Sequence, residues 1–334
     1  VAGAEVGTEI ALRYCGEFKL PSLGVINKME RDNANFQKAL ASVEELSDVR
    51  LIPVQLPLGE KADFKGVIDL LTMKAYKGDG KTASEIPAEF KAAAEKARTA
   101  LIEAAAESDN ELMERYFENG DLSPEETLRG LKSIVRTCTF RPVFVSSAVM
   151  SIGVAALMNA VIDLFPSPAD VTPATAEGKE GPEALPCVDN GPLAAYVWKT
   201  TADPFVGKQT YFRIYSGMLN SDSRVWNQTK SIEERLGTIS IPRGKETLSV
   251  KTVHAGDICV VPKLTETSTS NTVCDRAHPL TLPVPHYPNS LYRVAILPKT
   301  QADSTKISPT LTRLCEEDMT LTWSMEAATS QTVL

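Results

Sequence analysis

Residues 24–36 read GVINKMERDNANF. The apolar pair Val25-Ile26 runs straight into Asn27-Lys28-Met29-Glu30, and a charged, Asn-rich segment then opens an amphipathic helix to about Leu46. Strand, polar turn and helix in immediate succession belong to α/β architecture, where functional groups sit on the turn after the strand. Upstream, Val6, Ile10 and Tyr14 share one stripe of a short helix, with Gly16 as its stop. Downstream, residues 51–58 read as a second strand, and residues 66–77 alternate as a hairpin arm closed near Gly78-Asp79-Gly80. Pro142-Val143-Phe144-Val145 is a buried strand ending in Ser146-Ser147-Ala148, followed by an amphipathic helix to Leu164. Residues 1–168 therefore read as α/β with a parallel sheet, interrupted at about 55–137 by a mainly helical insertion.

In that insertion, Phe90, Ala94, Ala97, Leu101 and Ala105 recur at helical spacing, a second helix covers about 109–118, and Ser123-Pro124-Glu125-Glu126 starts a third. Between Glu89 and Glu126 there are eleven acidic and four basic residues. Such a run reads as a solvated helical face, with a docking surface for a basic partner as the alternative. Residues 169–185, rich in Pro, Thr, Glu and Gly, read as a linker. Short alternating strands with turn signals fill 186–288, the pattern of a small β-barrel. The last segment, 289–334, reads as a strand over 291–297, a helix from an N-capping Ser308 and Pro309 to Glu317, and a strand over 320–324. That order is the start of an α+β domain.

A hydrophobic fraction of 43% and a charged fraction of 23% are those of a globular chain rather than a disordered one. No run approaches the roughly 18 apolar residues of a membrane span. The chain begins at Val1 without a signal-peptide pattern, and an internal piece of a longer protein is the plain reading. Cysteines 15, 138, 187, 259, 274 and 315 are dispersed without a CxxC pair, and histidines 254, 278 and 286 lack metal-ligand spacing; both sets are expected to be packing residues in a reducing compartment. A net charge of −8 argues against non-specific nucleic-acid binding by the whole surface.

The chemistry lies in the two turns. In an Asn-Lys-x-Asp loop the carboxylate accepts from two adjacent donors on the guanine edge, a pair adenine lacks, so a site built for them rejects the wrong base. Asn fixes the loop, the Lys stem covers the ring, and Ser-Ala on the neighbouring loop offers a backbone N–H to guanine O6. Asn27, Lys28, Glu30, Ser147 and Ala148 form such a pair, the alternative being a structural turn capped by Asn27. Glu30 sets the carboxylate one methylene further out, which predicts weakened guanine selectivity with the pocket retained. No GxxxxGK[ST] occurs: Gly237 and Gly244-Lys245 are wrongly spaced and followed by Glu246, and Asp63 to Gly66 matches DxxG in the wrong order and reads as a turn. Phosphoryl transfer needs positioned phosphates and Mg²⁺, so these residues alone are expected not to hydrolyse GTP.

Taken together, the chain resembles elongation factor G, the bacterial ribosomal translocation GTPase. The resemblance rests on NKMERDNANF (27–36), IPVQLPLG (52–59), FKGVIDLLTMKA (64–75), DNELMERYFENGDLSPEE (109–126), GVAALMNAVIDLFPSPAD (153–170), KTTADPFVGKQTYFRIYSGML (199–219), VAILPKTQAD (294–303) and LTRLCEED (311–318). It implies the second half of a P-loop GTPase domain, then a translation-factor β-barrel, then a truncated ferredoxin-like half-domain. It further implies GTP and GDP as ligands, Mg²⁺ only with a phosphate loop, and a monomeric cytoplasmic protein. The partners it implies are the ribosome, through its RNA and proteins including the stalk protein, with tRNA and mRNA indirectly. Position 30 departs from the family's Asp, and Pro309 stands where the family runs an uninterrupted helix. A non-enzymatic ribosome-binding paralogue without a phosphate site is the runner-up.

Overall fold

In the computed structural model, the opening stretch folds as its pattern requires. Asn35 caps the helix after it by accepting from the Lys38 amide at 2.8 Å, and Glu60, from a distant loop, accepts from the Phe36 amide at 2.7 Å. The structure describes residues 2–203, 206–244, 246–326 and 331–334, so Pro204, Phe205 and Lys245 of the motifs above lie outside the described residues. The chain divides into two units, Val1–Pro166 and Ser167–Leu334.

The first unit runs α1 (Val6–Glu17), β1 (Gly24–Ile26), α2 (Phe36–Glu44), β2 (Arg50–Pro53), β3 (Gln55–Leu58), β4 (Gly66–Asp69), β5 (Lys74–Lys77), β6 (Ala83–Ser84), α3 (Ala88–Ala106), α4 (Asn110–Asn119), α5 (Pro124–Thr137), β7 (Phe140–Val145) and α6 (Val154–Leu164). β1, β7 and β2 make a parallel sheet in that order, β7 central and buried. Its apolar side chains share one core with α2, α3 and α5, including Met29, Phe36, Ile52 and Val145.

The run 51–58 is two strands, not one. Val54 donates to the Val143 carbonyl at 2.9 Å and accepts from Leu70 at 3.1 Å, and there the chain leaves the parallel sheet for an antiparallel one. That second sheet, β3-β4-β5-β6, accompanies the three helices α3, α4 and α5, which supply most of the insertion's regular structure. The hairpin within 66–77 turns at residues 70–73, where Asp69 accepts from the Leu71 and Thr72 amides, and the glycines at 78 and 80 serve the next turn. Ser123 and Glu126 form the expected reciprocal cap at the start of α5. α1 forms close to the bounds read from its stripe, but Val6, Ile10 and Tyr14 are exposed, and the buried residue is Leu12.

The second unit begins with β8 (Ala174–Gly178) and β9 (Gly181–Leu185), an antiparallel hairpin where a linker was expected. Thr175 and Glu177 face solvent while Ala176 and Leu185 enter a core with Leu280 and Leu282, and that one-sided burial holds the segment. Next come β10 (Ala194–Asp203), β11 (Gly207–Ser216), β12 (Leu219–Asn220), β13 (Arg224–Asn227), β14 (Ile232–Arg235), β15 (Ile239–Arg243), β16 (Glu246–Val250), β17 (Thr252–Val253), β18 (Ile258–Pro262) and β19 (Thr272–Cys274). Eight of them form one antiparallel sheet, ordered β14-β13-β19-β10-β11-β18-β15-β16, which wraps a core around Phe212, Ile214, Cys259 and Val273. Burial pushes the Cys259 thiol up to about 12, as suits a packing cysteine. None of the three histidines packs inside: His254 and His278 meet Asp189 and Glu183 at the surface, each at 2.8 Å, and His286 is exposed.

β20 (Ala295–Ile296), α7 (Gln301–Glu317), β21 (Ser324–Met325) and β22 (Thr332–Val333) complete the unit, with β22 between the other two. The strand expected over 291–297 shrinks to two residues, and Leu291 is fully exposed. The strand expected over 320–324 lies instead at Ser324–Met325. Nor does a helix start at Pro309: α7 begins at Gln301 and carries Pro309 inside it. The ring removes one backbone donor but leaves the helix continuous.

Candidate functional site

β1 and β7 are parallel neighbours, paired Gly24↔Val143 through Ile26↔Val145, so the loops after both strands leave the same sheet edge. Asn27 joins them. Its Oδ1 accepts from the Lys28 amide at 2.7 Å, the Ser146 hydroxyl at 3.2 Å and the Ala148 amide at 3.0 Å. Its carboxamide NH₂ donates no hydrogen bond among the described residues.

Lys28 sits in the left-handed region, with φ at +64°, and its side chain faces solvent. Met29, the variable position of the motif, is 1% exposed and pins the loop from below: its amide reaches the Ser146 carbonyl at 3.4 Å, and its carbonyl accepts from Lys61 at 2.8 Å. Met29 and Ser146 are the two residues the sequence reading passed over. Buriable sulfur and a third polar residue next to Ser-Ala were the available signals.

Ser147 shapes the second loop rather than lining a pocket. It is fully buried, exchanges both backbone hydrogen bonds with Ile152 at 3.0 Å, and its hydroxyl accepts from the Met150 amide at 3.2 Å. The loop closes at Gly153, where φ is +76° and a Cβ would stand 2.2 Å from the Val145 carbonyl oxygen. Only glycine fits that approach.

Glu30 does not present its carboxylate outward. The side chain is 18% exposed, the Arg31 guanidinium lies 3.9 Å from Oε1, and Oε2 is sealed from solvent without a hydrogen-bond partner. The adjoining Ser147 hydroxyl holds the carboxyl below the usual range, against the opposing effect of burial, with Arg31 and Lys28 assisting. The extra methylene thus folds the acid back onto the protein. The Ala148 amide, expected to be open to a base, is likewise occupied by Asn27. The structure brings Asn27, Ser147 and Ala148 together, leaves Lys28 facing solvent and folds Glu30 inward. A cleft of 580 Å³ beside the loop is lined by Lys28, Arg31, Asp32 and Asn33, with Gly3 and Glu5 opposite.

The other candidates do not assemble. Asp63 and Gly66 belong to a short turn and to β4, as read from the sequence, and Asp63 stands 3.7 Å from Lys65. Among the described residues no group of three or more His, Cys, Asp or Glu could hold a metal ion, and no helix is long and apolar enough to cross a membrane.

The comparisons fall on the second unit and on the whole architecture. Residues 192–276 match the model for elongation factor G domain 2, and residues 287–334 match that for elongation factor G domain III. A crystal structure of a protein from Thermus thermophilus superposes with a TM-score of 0.82 at 27% identity, covering 99% of this chain and 48% of that one. The chain spans about half the length of that solved relative.

Proposed function

The chain is elongation factor G-like, and from that premise we propose that residues 24–30 and 146–148 are the guanine-reading half of a GTP- and GDP-binding site in a translational GTPase. The observation that carries this reading is Asn27. One side chain staples the ends of two parallel strands and keeps an unused NH₂ donor, where a base edge with acceptors could sit. Lys28 and Arg31 line the adjoining cleft, where Glu5 and Asp32 balance their charge.

In this state two reading groups are turned inward, so binding requires two local moves. The Ala148 amide must exchange Asn27 for the base carbonyl, and Glu30 must swing its carboxylate toward the donors of guanine. Each move breaks an existing contact, and the second also releases a buried, unpaired oxygen. The first costs selectivity; the second partly offsets that cost. Among the described residues no group of three or more His, Cys, Asp or Glu could hold Mg²⁺, and no step of hydrolysis is assigned to these residues. On the same reading, the protein acts in the cytoplasm as a monomer at the ribosome. Hydrolysis is coupled there to movement of tRNA and mRNA, and the acidic helical face of α3–α5 meets the stalk protein.

The test is calorimetric binding of GDP and ADP to the chain, with Asn27→Ala beside it. GDP binding tighter than ADP binding, and lost in the variant, is the expected result. Equal affinities in both proteins would leave a structural turn and nothing more. Co-sedimentation with ribosomes, abolished by charge reversal at Glu107, Glu111 and Glu114, tests the partner separately.

A further inference from the structure

The guanine loop is held from two sides, and only one of them is the loop after β7. Between Met29 and Phe36 the backbone closes on itself through local turns, Arg31 donating to the Lys28 carbonyl at 3.1 Å and Ala34 to the Arg31 carbonyl at 2.9 Å. Its bonds to the insertion lie at the two ends of that segment. At the first end, the Met29 carbonyl accepts from the Lys61 amide at 2.8 Å. At the second, the half-buried Glu60 carboxylate accepts at 2.7 Å from the amide of Phe36, the first residue of α2. Glu60 and Lys61 are adjacent in the loop between β3 and β4, so one short piece of the insertion brackets residues 29–36.

That bracket is stiff. The Lys65 amide closes the loop on the Leu58 carbonyl at 3.0 Å, and a 3₁₀ turn over Lys61–Asp63 fills it. Gly59 turns the chain at φ +82°, where a Cβ would stand 2.1 Å from the Asp63 carbonyl oxygen. Lys61 is left-handed at φ +59°, a conformation that a lysine keeps only where its surroundings over-determine it. Phe64, 2% exposed, packs in the same core as Met29, Ala34 and Phe36. The Glu60 charge also stands at the start of a helix, where an anionic acceptor is favoured.

We propose that Glu60 is a positioning residue for the guanine loop, an inference that rests on the reading of residues 24–30 and 146–148 given above. Through the loop between β3 and β4, the insertion sets the spacing of Met29 and Phe36. It thereby shapes the segment whose Lys28, Arg31, Asp32 and Asn33 line the adjoining cleft. Nucleotide affinity is coupled in this way to a part of the fold that touches no nucleotide.

Amide hydrogen exchange of the full chain, without nucleotide, tests the coupling. Glu60→Ala should speed exchange across residues 28–36 by about tenfold, the worth of one bond to a charged acceptor, while β7 keeps its rates. Glu60→Gln retains an acceptor oxygen and should bring the rates back to within about threefold of the wild type. Asp63→Asn removes an exposed charge in the same loop and should leave them unchanged. Calorimetric titration with GDP should follow the same order, affinity falling about fivefold in Glu60→Ala and recovering in Glu60→Gln. Unchanged exchange in Glu60→Ala, an equal rise in Asp63→Asn, or GDP affinity indifferent to Glu60 in a chain that prefers GDP would overturn the proposal. Exchange that follows Glu60 in a chain with no preference for GDP over ADP would uphold the coupling and remove the guanine reading.

Discussion

Two places in the molecule join loops through an asparagine and a glutamate, and they differ in what is left over. Near β13, Asn227 is fully buried and uses both ends: its NH₂ donates to the Thr267 hydroxyl and Asn271 Oδ1, each at 3.0 Å, and its oxygen accepts from Lys230 at 3.1 Å. Beside it, Glu234 accepts from the amides of residues 265, 266 and 267 and from the Thr265 and Thr267 hydroxyls, between 2.6 and 3.2 Å. At the end of β1, Asn27 uses only its oxygen and Glu30 keeps a sealed oxygen without a partner. The first arrangement is complete and therefore structural. The second has donor and acceptor capacity in reserve, which the protein maintains at a cost in stability and which a ligand could use.

The comparison can be broken, and the largest expected effect is at Gly153, where the loop after β7 closes. Gly153→Ala must relieve both a left-handed backbone and a carbonyl contact, and should lose about 3 kcal/mol or more in chemical unfolding of the first unit. A loss below about 1 kcal/mol would mean that the loop is adaptable, and the geometry of the site would then carry less weight.

Next comes Glu234→Gln. It keeps the shape but not the charge that five donors address, and should cost about 2–3 kcal/mol. Burial raises the pKa of this carboxyl, yet hydrogen bonds from Thr267, Glu266 and Thr265 outweigh it and bring the net value below the ordinary 4.5. A depressed folded-state pKa gives stability that is present above the unfolded value and is lost as pH falls through the folded one. Stability of the second unit should therefore decline below about pH 4.5, and Glu234→Gln should flatten that slope. An unchanged acid profile would count against the hub.

Asn27→Ala should cost about 2 kcal/mol, since it leaves the Ala148 amide and Ser146 hydroxyl to find new partners. The contrast with Asn227→Ala sharpens the comparison: loss of the buried asparagine should affect stability alone, whereas loss of Asn27 should also remove guanine preference. If both variants behave alike, the reserve at Asn27 has no function.

How far the sequence disclosed all this depends on what each pattern records. The turn at 27–30 was legible because apolar strand, Asn cap and helix follow one another within a few residues, as was the Ser123-Pro124 start of α5. The change of sheet at Val54 was not. Residues 51–58 are buried on both sides of the break, so an unbroken apolar run conceals a change of partner. The hairpin at 174–185 was hidden by its outward-facing Thr and Glu residues, which gave the composition of a linker although Ala176 and Leu185 pack inward. Val6, Ile10 and Tyr14 have core periodicity yet lie exposed, because a stripe says which residues share a face and not what covers it. Pro309 was read as a helix start on local preference, and α7 nonetheless continues through it, carried by its contact with the β-sheet unit, where the Glu316 carboxylate meets Lys208 at 3.1 Å. At the ends of β1 and β7, the nearness of residues 27–30 and 146–148 was legible and the orientation of their side chains was not. Nothing in four letters shows that Glu30 folds inward or that Asn27 already holds the Ala148 amide.

The measurement that bears most directly on the central claim is the affinity of GDP, with ADP as control, for the wild-type chain and for Glu30→Asp. Aspartate is too short to fold back against Ser147, so its carboxylate should face the base. The account predicts GDP binding tighter by about fivefold or more in the variant, with ADP unchanged. Identical GDP affinities in the two proteins, or equal tightening for ADP, would contradict it.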